Sequence, residues 1–492
     1  MLPYQNKNTH TGYKQSGRMG TKYDDVIVGG GPLGLTLAWY LSSIPGRTVV
    51  VIDAHAAVGG CHRVTRSTGS KGTTDLFCEH SPRIYSDNFV WFQYFLRDMG
   101  LSFYTYFTPY AFPLYHGIRR IVQACTVREL AWLTYEFSTH TIRRWGGWKP
   151  NQSVVQEMMT RRRFSVVAAN VMDRFCRLLE SAGSDRMTMF ELFELLDINA
   201  LHTSYIPSEP TDLYLFPQIV EKLQDRGVHF RRSVQVTGLE MTPSLVTGVQ
   251  TDKHNTIHGT RFLFAVPLSH IVPVFAPHLP EDYGHSLRDR MMRSSYETYP
   301  TIVFHWQEPL TINKVWGFPT GPWGVISVHM GDTFDNQHVI STTLSMSTVK
   351  VAEYTVADFR RTLSDQAFAD EVFRQLQLSY DDELPMYTEF VCSMTNDSGH
   401  VNSFSATPWT TPVNNLFVVG AYNEVALYPA NTIESATETA IRFVQDQHPA
   451  LLTTSAVPAR PRRLTNFYWY PLQTIQFITE TVLFLVQSVI GQ

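Results

Sequence analysis

The residues with the clearest chemical meaning are glycines that follow a short apolar run near the N-terminus. Gly29, Gly31 and Gly34 fit the pattern G-x-G-x-x-G. The first glycine of such a pattern permits a tight strand-to-helix turn, the second lets the backbone approach a pyrophosphate, and the third lets the helix pack on the strand. The helix that begins at Pro32 and Leu33 points free N–H groups at the phosphates. The spacing therefore predicts a dinucleotide-binding turn.

A carboxylate stands at the end of the next apolar run. Asp53 closes the run 48–52 and lies 19 residues after Gly34. A carboxylate at that place can accept hydrogen bonds from a ribose diol, and it disfavours a 2′-phosphorylated ribose because two anions would meet. Gly59 and Gly60 follow, and this second glycine pair can bring more backbone against the same dinucleotide. Both NAD and FAD stay open at this point.

The composition is that of a folded and nearly neutral protein. The 492 residues include 40 Lys and Arg against 44 Asp and Glu, and 43% of them are hydrophobic. No long basic stripe is present, which argues against nucleic acid as the main partner. The five cysteines are far apart and form no CxxC, so we expect neither a disulfide framework nor a metal site, and a reducing compartment fits best.

The apolar periodicity predicts a mixed α/β chain around the glycine turn. A β-turn-α-β pattern covers residues 25–53, and a largely helical, aromatic-rich region covers about 88–196. Strands are expected within 228–266, helices near 356–377, and a last β-turn-α unit from residue 416. At roughly 100–200 residues per domain, the length predicts two or three domains.

Several blocks resemble the flavoprotein superfamily that includes amine oxidases, protoporphyrinogen oxidases and phytoene-type desaturases. Residues 53–60 are similar to the acidic residue and Gly-Gly with which that superfamily continues its FAD site. Residues 234–239 resemble its adenine-contacting strand, and residues 415–420 and 431–436 resemble its closing motif. The resemblance spans about residues 24–440 and implies FAD as the cofactor.

The resemblance also implies roles for individual residues. Val236 would contact the adenine through its backbone, and Gly420 would allow close approach to the ribityl-phosphate region. Thr432 and Ile433 would begin a helix whose N–H groups face the flavin N1/C2 carbonyl, where negative charge accumulates on reduction. The superfamily usually has Arg or Asn directly after its second glycine pair, and in this chain Arg63 is the nearest candidate.

The implied fold is α/β, with a Rossmann-like, glutathione-reductase-type FAD-binding domain and a second, mixed sheet-plus-helix substrate domain. The expected division is a flexible N-terminal tail (1–22), a discontinuous FAD-binding domain (23–85, 210–270 and 410–446), a substrate domain (86–209 and 271–409), a linker (447–466) and a C-terminal apolar or amphipathic helix (467–492).

Candidates for catalysis are fewer. The expected strand 299–306 has no lysine where amine oxidases carry one beside flavin N5, so the substrate stays open. His305 could act there as an acid/base or proton relay, or it could be a hydrogen-bonded core residue. Trp316, Trp323 and Tyr428 are candidate walls of a substrate pocket, with packing in the core as the alternative.

The expected activity is hydride transfer from a substrate C–H to flavin N5, with a small apolar or amine-containing molecule as the substrate. The alternatives within enzymes are a flavin-dependent C–C dehydrogenase or desaturase and a non-redox flavin mutase. The alternative of another class is a flavin-free protein that binds lipids or prenylated proteins on the same scaffold. The intact glycines and Asp53 argue against that last alternative.

The C-terminal segment adds a question about membranes. Residues 472–490 are apolar apart from one polar stripe, and Glu480 near their centre opposes a membrane crossing. A peripheral membrane contact, docking on protein and a spanning anchor all stay open. The expected location is the cytoplasm, with or without membrane association, and the oligomeric state stays open.

Overall fold

The structure is a computed structural model of the chain. It describes residues 22–67, 76–79, 84–110, 114–148, 151–180, 183–199, 202–293, 299–310, 319, 321–330, 338–344, 351, 354–362, 364–380, 384–395, 406–428 and 432–452. The predicted N-terminal tail up to residue 21, the candidate pocket residue Trp316 and the predicted C-terminal helix lie outside the described residues.

The strands follow one another along the chain as β1 (Tyr23–Val28), β2 (Val49–Asp53), β3 (Val64–Ser67), β4 (Leu76–Glu79), β5 (Tyr85–Ser86), β6 (Phe107–Tyr110), β7 (Ser204–Pro207), β8 (His229–Arg232), β9 (Val236–Met241), β10 (Val246–Thr251), β11 (Thr256–Phe264), β12 (Tyr299–Trp306), β13 (Ile326–His329), β14 (His338–Thr343), β15 (Glu389–Thr395) and β16 (Leu416–Val418).

The helices are α1 (Pro32–Ser42), α2 (Val90–Asp98), α3 (Phe103–Tyr106), α4 (Leu114–Ala124), α5 (Val127–Trp145), α6 (Val155–Arg161), α7 (Val166–Glu180), α8 (Met189–Asn199), α9 (Leu215–Asp225), α10 (Leu268–Phe275), α11 (Glu281–Arg293), α12 (Val356–Thr362), α13 (Asp365–Ser379) and α14 (Ile433–Gln447). None of the helices within the described ranges has the length and apolarity that a membrane crossing requires.

The largest sheet gathers strands from three distant parts of the sequence. Its parallel part has the order β8-β2-β1-β11-β16, and β10 and β9 extend it as antiparallel strands from the first half of β11. Ile27 on β1 belongs to one apolar core and Val26 to another, so the sheet is covered on both faces. This is the reason that β1 and β2 are continuous apolar runs instead of alternating ones.

A second sheet is antiparallel, in the order β13-β14-β12-β15. Alternate residues of β12 serve different cores: Ile302 and Phe304 pack with residues of α13, whereas Val303 packs with Phe77 and Cys78 of β4. The hairpin β3–β4 thus covers the face of this sheet that is opposite to α13.

The region between β5 and β7 is mainly helical, as the sequence predicted, and contributes α2 to α8. Aromatic side chains fill its junction with the rest of the chain, among them Tyr85, Phe92, Phe103 and Phe107, whose rings lie 4.3–6.3 Å apart in contacting pairs. Strands from residues 23–53, 229–264 and 416–418 share one sheet, while the division into two domains stays a prediction.

Candidate dinucleotide-binding site

The turn between β1 and α1 has the geometry that its glycines predict. Gly29 has a φ of +112°, and a Cβ built on it would lie 2.5 Å from the carbonyl oxygen of Ala265. A Cβ on Gly34 would lie only 1.9 Å from the carbonyl oxygen of Gly29. These two glycines are therefore required by the backbone of the protein itself, one for the turn and one for the close contact between α1 and the turn.

Gly31 is different, because the protein leaves room beside it. Its φ of −76° suits any residue, and the nearest atom to a Cβ built there is the Cα of Gly60, at 3.6 Å. Gly31 is the N-cap of α1 and offers no side chain to cap the helix, and Pro32 at the first helical position has no N–H. The N–H groups of Leu33 and Gly34 thus begin the helix without an intrahelical acceptor, as an anion site requires.

The second glycine pair packs directly on this turn. The N–H of Gly59 donates to the carbonyl oxygen of Gly30 at 2.8 Å, and a Cβ on Gly60 would lie 3.0 Å from the Cα of Gly31. Arg63 follows at the end of a short 3₁₀ turn and is half-buried. Its guanidinium makes no hydrogen bond or ion pair with other described residues, so it is available to an anion beside the turn.

Asp53 is held in place by backbone groups. Its Oδ2 accepts the N–H of Gly30 at 2.7 Å, and its Oδ1 accepts the N–H of His55 at 2.8 Å. The carboxylate is 8% exposed. Oδ1 also lies 3.2 Å from Nδ1 of His55. Oδ2 has a further lone pair, so a ribose hydroxyl could still be accepted there. The structure adds a second role that the sequence did not suggest, since Asp53 fixes the glycine turn through Gly30.

The carboxyl ends of β1, β11 and β16 lie side by side next to this turn. Val28 accepts a backbone hydrogen bond from Ala265 at 2.8 Å, and Phe264 accepts one from Val419 at 2.9 Å. Gly420 follows with an extended backbone, and a Cβ on it would lie 2.4 Å from the ring of Tyr422. The contact that requires glycine at position 420 is therefore with this tyrosine, which differs from the ligand contact that the resemblance implied.

Helix α14 begins on the same side with a capping box. The hydroxyl of Thr432 accepts the N–H of Ser435, and the hydroxyl of Ser435 accepts the N–H of Thr432. This arrangement uses the N–H at the third helical position and leaves that of Ile433 at the first without an acceptor in the helix. The predicted role of Thr432 and Ile433 is compatible with this geometry and stays a prediction.

The side chain of Glu434 has a role that sequence reasoning missed. It is fully buried, and its carboxylate oxygens accept the N–H groups of Trp91 at 3.2 Å and Phe92 at 2.9 Å. Helix α2 has no capping side chain of its own. A glutamate 342 residues further along the chain therefore caps α2. The only sequence signal for this contact is an acidic residue in the first turn of α14, which normally serves its own helix.

A second buried group connects the glycine loop to β4. Glu79 accepts the N–H of Thr211 at 2.6 Å, and the hydroxyl of Thr211 donates to the carbonyl oxygen of His62 at 3.1 Å. Tyr85 and His62 are joined through the tyrosine oxygen and Nδ1 at 3.2 Å. These contacts hold the residues that follow Gly60 against the hairpin which covers the second sheet.

Val236 opens β9, opposite Thr251 on β10. Two residues earlier, the N–H of Val234 donates to the carbonyl oxygen of Asp53 at 3.0 Å. The segment predicted to meet the adenine thus lies beside the carboxylate predicted to meet the ribose.

Three candidate catalytic and pocket residues lie within the described ranges, and the side chains of all three, His305, Trp323 and Tyr428, are buried. His305 Nε2 lies 3.0 Å from the carbonyl oxygen of Phe77, and burial lowers the pKa of His305 to about 4. Trp323 is 1% exposed and lies against Phe368 of α13. Tyr428 is joined to Asn199 through its hydroxyl. These contacts favour the core alternative that the sequence left open for each of them, and their part in catalysis or substrate binding stays a prediction.

Comparisons with known proteins agree with this geometry. Residues 27–97 match the family model of an NAD(P)-binding Rossmann-like domain. No curated protein matches the chain in sequence.

Solved structures are similar to most of the chain. An oxidoreductase from Methanosarcina mazei has a TM-score of 0.62 at 13% identity, over 86% of this chain and 100% of that one. A cofactor-binding variant of putrescine oxidase has a TM-score of 0.59 at 14% identity, over 86% and 98%. Cyclohexylamine oxidase from Brevibacterium oxydans has a TM-score of 0.57 at 12% identity, over 88% and 99%.

At these identities the likeness establishes the fold. The chain has an α/β fold like that of putrescine oxidase and cyclohexylamine oxidase, and its residues 27–97 form a Rossmann-like dinucleotide-binding region around the β1–α1 turn. The fold class predicted from the sequence is confirmed.

Proposed function

We propose that this protein is an FAD-dependent oxidoreductase that transfers a hydride from a substrate C–H to flavin N5. The observation that carries the proposal is the edge where β1, β11 and β16 end. The first turns of α1 and α14 and the carboxylate of Asp53 follow strands of the same parallel sheet there, and both helices begin with N–H groups that have no acceptor in the helix. Such an edge is where open α/β sheets bind dinucleotides.

The residues present are suited to bind each part of FAD, from the adenine to the flavin. Gly31, Leu33 and Gly34 would hold the pyrophosphate, with Gly59, Gly60 and the free guanidinium of Arg63 beside it. Asp53 would accept a ribose hydroxyl, and Val236 would meet the adenine. Gly420, Thr432 and Ile433 would lie at the flavin end. The room beside Gly31 supports this assignment because nothing in the protein itself requires a glycine there.

FAD, when bound, supplies an acceptor for two electrons and a proton as a hydride. The chain itself would bind FAD, orient the substrate and stabilise the charge that develops on the flavin. The N–H group of Ile433 and the positive end of the α14 dipole are suited to stabilise the negative charge of a reduced flavin. The buried contacts of Glu434 fix the direction of that helix.

The substrate is proposed to be a small molecule with an apolar part. The layer between β12 and β4 contains Phe77, Val303, Val339 and Val391, all buried. The described residues of β12 include no lysine. This absence of a lysine from the described β12 supports dehydrogenation of a C–C bond in an apolar substrate as the second candidate, beside the oxidation of an amine.

The first experiment is an absorption spectrum of the purified protein, followed by release and identification of any chromophore. Flavin bands near 375 and 450 nm and released FAD are expected of a protein that holds oxidised FAD. The loaded protein is then screened under air with putrescine, cyclohexylamine and apolar polyenes, because two similar structures are named for the first two compounds. A colourless protein that also fails to take up added FAD would contradict the proposal and would favour a flavin-free binding protein.

A further inference from the structure

The charge of the chain is distributed very unevenly. Between residues 119 and 163 there are nine basic and three acidic side chains, a net charge of +6, whereas the whole chain has −4. The remainder of the chain therefore carries −10. Such an asymmetry within one region indicates a surface that attracts anions.

Two of the three acidic side chains in that region are not on the surface. Glu129 is buried, caps α5 through Thr126 and also accepts the N–H of Ser165. Glu136 is buried and pairs with Arg162 at 3.1 Å. Glu157 is the exposed acid of the three. Arg162 and Arg144 are also paired with acids. Among the described residues of this region, the exposed charges are therefore six arginines against Glu157, namely Arg119, Arg120, Arg128, Arg143, Arg161 and Arg163.

The same region exposes apolar side chains in a regular row. Val127, Ala131, Tyr135 and Ile142 recur at intervals of four or seven residues along α5, and all four are exposed. This spacing places them on one face of the helix. The opposite face is occupied, since Phe137 packs against Phe193 of α8 at 5.3 Å.

The start of α7 continues this exposed row. Arg128 donates to the carbonyl oxygen of Arg163 at 2.6 Å, which brings the first turn of α5 against the residues before α7. Val127 is 85% exposed, and Val166 and Val167 are 76% and 63% exposed. Apolar side chains and arginines thus share one surface, which we call the α5 face and define by Val127, Tyr135, Val166, Val167, Arg128 and Arg163.

We propose that the α5 face docks on an anionic lipid bilayer. The positive charge of the α5 face argues against two occupants that the chain itself could supply, its own C-terminal residues and a second copy. Residues 453–492 contain three arginines and one glutamate, so they carry a net side-chain charge of +2 and would be repelled. A second copy that docks through the same face would bring one basic surface against another. The complementary occupant is an anionic surface outside the chain.

The high exposure of the apolar side chains favours lipid over an acidic protein. Valines that protrude to 85% and 76% of their surface are poorly placed to line a concave protein interface, but they can enter the headgroup region of a bilayer. Arginines beside them would contact lipid phosphates, and Tyr135 is the type of residue enriched at membrane interfaces. The residues of this surface are different from those of the C-terminal segment for which the sequence raised membrane contact.

The test is sedimentation of the full chain with vesicles of phosphatidylcholine alone and of phosphatidylcholine mixed with phosphatidylserine. Binding is expected only with the mixed vesicles and should weaken as salt is added. The substitution Arg163→Asn should weaken binding about fivefold, the contribution of one arginine near an anionic surface. Val166→Ser with Val167→Ser should weaken it about tenfold.

The matched control changes exposed apolar residues elsewhere. Met292 and Met386 are 79% and 64% exposed and lie outside the α5 face. Met292→Ser with Met386→Ser should bind vesicles as the unchanged chain does. All variants should keep the unfolding temperature of the unchanged chain, because the side chains altered are exposed.

A second readout locates the contact. Trp148 follows α5 and is 64% exposed. Brominated lipids should quench part of the tryptophan fluorescence, and Trp148→Phe should remove that part. Equal vesicle binding by the unchanged chain and by both face variants would overturn the proposal and assign any binding to another segment. Absence of binding to anionic vesicles would also overturn it, and loss of a dimer in the face variants would assign the face to protein contact.

Discussion

Replacing Gly31 by alanine distinguishes the contribution of this glycine to dinucleotide binding from its contribution to the stability of the fold. The φ of −76° at this position is suitable for alanine, and the new Cβ would have its nearest protein atom at 3.6 Å, an ordinary contact. Gly31→Ala should therefore leave the fold intact. We expect the free energy of unfolding without ligand to change by no more than about 1 kcal/mol.

The effect on the ligand should be much larger. A phosphate packed against the α-carbon of Gly31 would have to retreat by about 1 Å to accommodate a methyl group. A retreat of that size lengthens N–H···O bonds from about 2.9 Å to well beyond hydrogen-bonding distance. Loss of two such bonds to a charged group, at about 1.5–3 kcal/mol each, would weaken FAD binding by about 10²–10⁴-fold.

The assay is a titration of the flavin-free protein with FAD, together with thermal unfolding with and without FAD. Gly284 in α11 is the matched control, because a Cβ there meets no atom within 4 Å. Gly284→Ala should keep full FAD affinity and stabilise the helix slightly. Gly34→Ala is the opposite control. Its Cβ would lie 1.9 Å from a backbone oxygen, so it should lower both the stability and the affinity.

Wild-type FAD affinity in Gly31→Ala would refute the reasoning, because it would mean that no phosphate lies against this residue. Equal losses of stability in Gly31→Ala and Gly34→Ala would also refute it, since the room beside Gly31 would then not exist in solution.

Three further predictions follow from buried polar contacts. Asp53→Asn puts an amide NH₂ where an oxygen now accepts a backbone N–H, so FAD titration should show at least about tenfold weaker binding. Glu434→Gln leaves one N–H of α2 without its acceptor and should cost about 1–3 kcal/mol in urea unfolding, whereas the exposed Glu157→Gln should cost about nothing. Burial lowers the pKa of His305 to about 4, so the unfolded chain, with its ordinary pKa near 6.5, binds more protons between these values. The free energy of unfolding should accordingly fall as the pH drops from about 6.5 to 4, by up to about 1.4 kcal/mol per pH unit, and His305→Gln should remove that part of the slope. An unchanged slope in this variant would show that His305 is not buried in the neutral form.

The parts of the fold that the sequence predicted correctly are those controlled by local residues. The β-turn-α-β pattern of residues 25–53 is confirmed, because apolar runs and glycines act within a few residues of one another. The helices expected near 356–377 are α12 and α13, but the position of the break between them was not predicted. Ser364 accepts the N–H of Ala367 and starts a new helix at Asp365, and a serine inside an apolar period does not reveal such a cap in advance.

The parts that could not be predicted depend on contacts between distant segments. Nothing near Asp53 in the sequence indicates that it would hold the N–H of Gly30, and nothing near α2 indicates its cap from Glu434. The sequence places Gly420 at the end of a strand. It does not reveal that the ring of Tyr422 folds back against this glycine and leaves no room for a Cβ. Local sequence patterns identified the type of site, and tertiary packing determined the structural role of each residue.

The contact of Glu434 with α2 also explains how α14 can serve an anionic or electron-rich ligand. A carboxylate in the first turn of a helix would normally neutralise the positive end of that helix. Here the carboxylate is directed to the N-terminus of another helix, where two backbone N–H groups bind it. The charge of Glu434 is thereby compensated by α2, and the first N–H groups of α14 keep their positive potential. A single buried glutamate thus stabilises the junction between the helical region and the large sheet without weakening the end of α14 that we assign to the flavin.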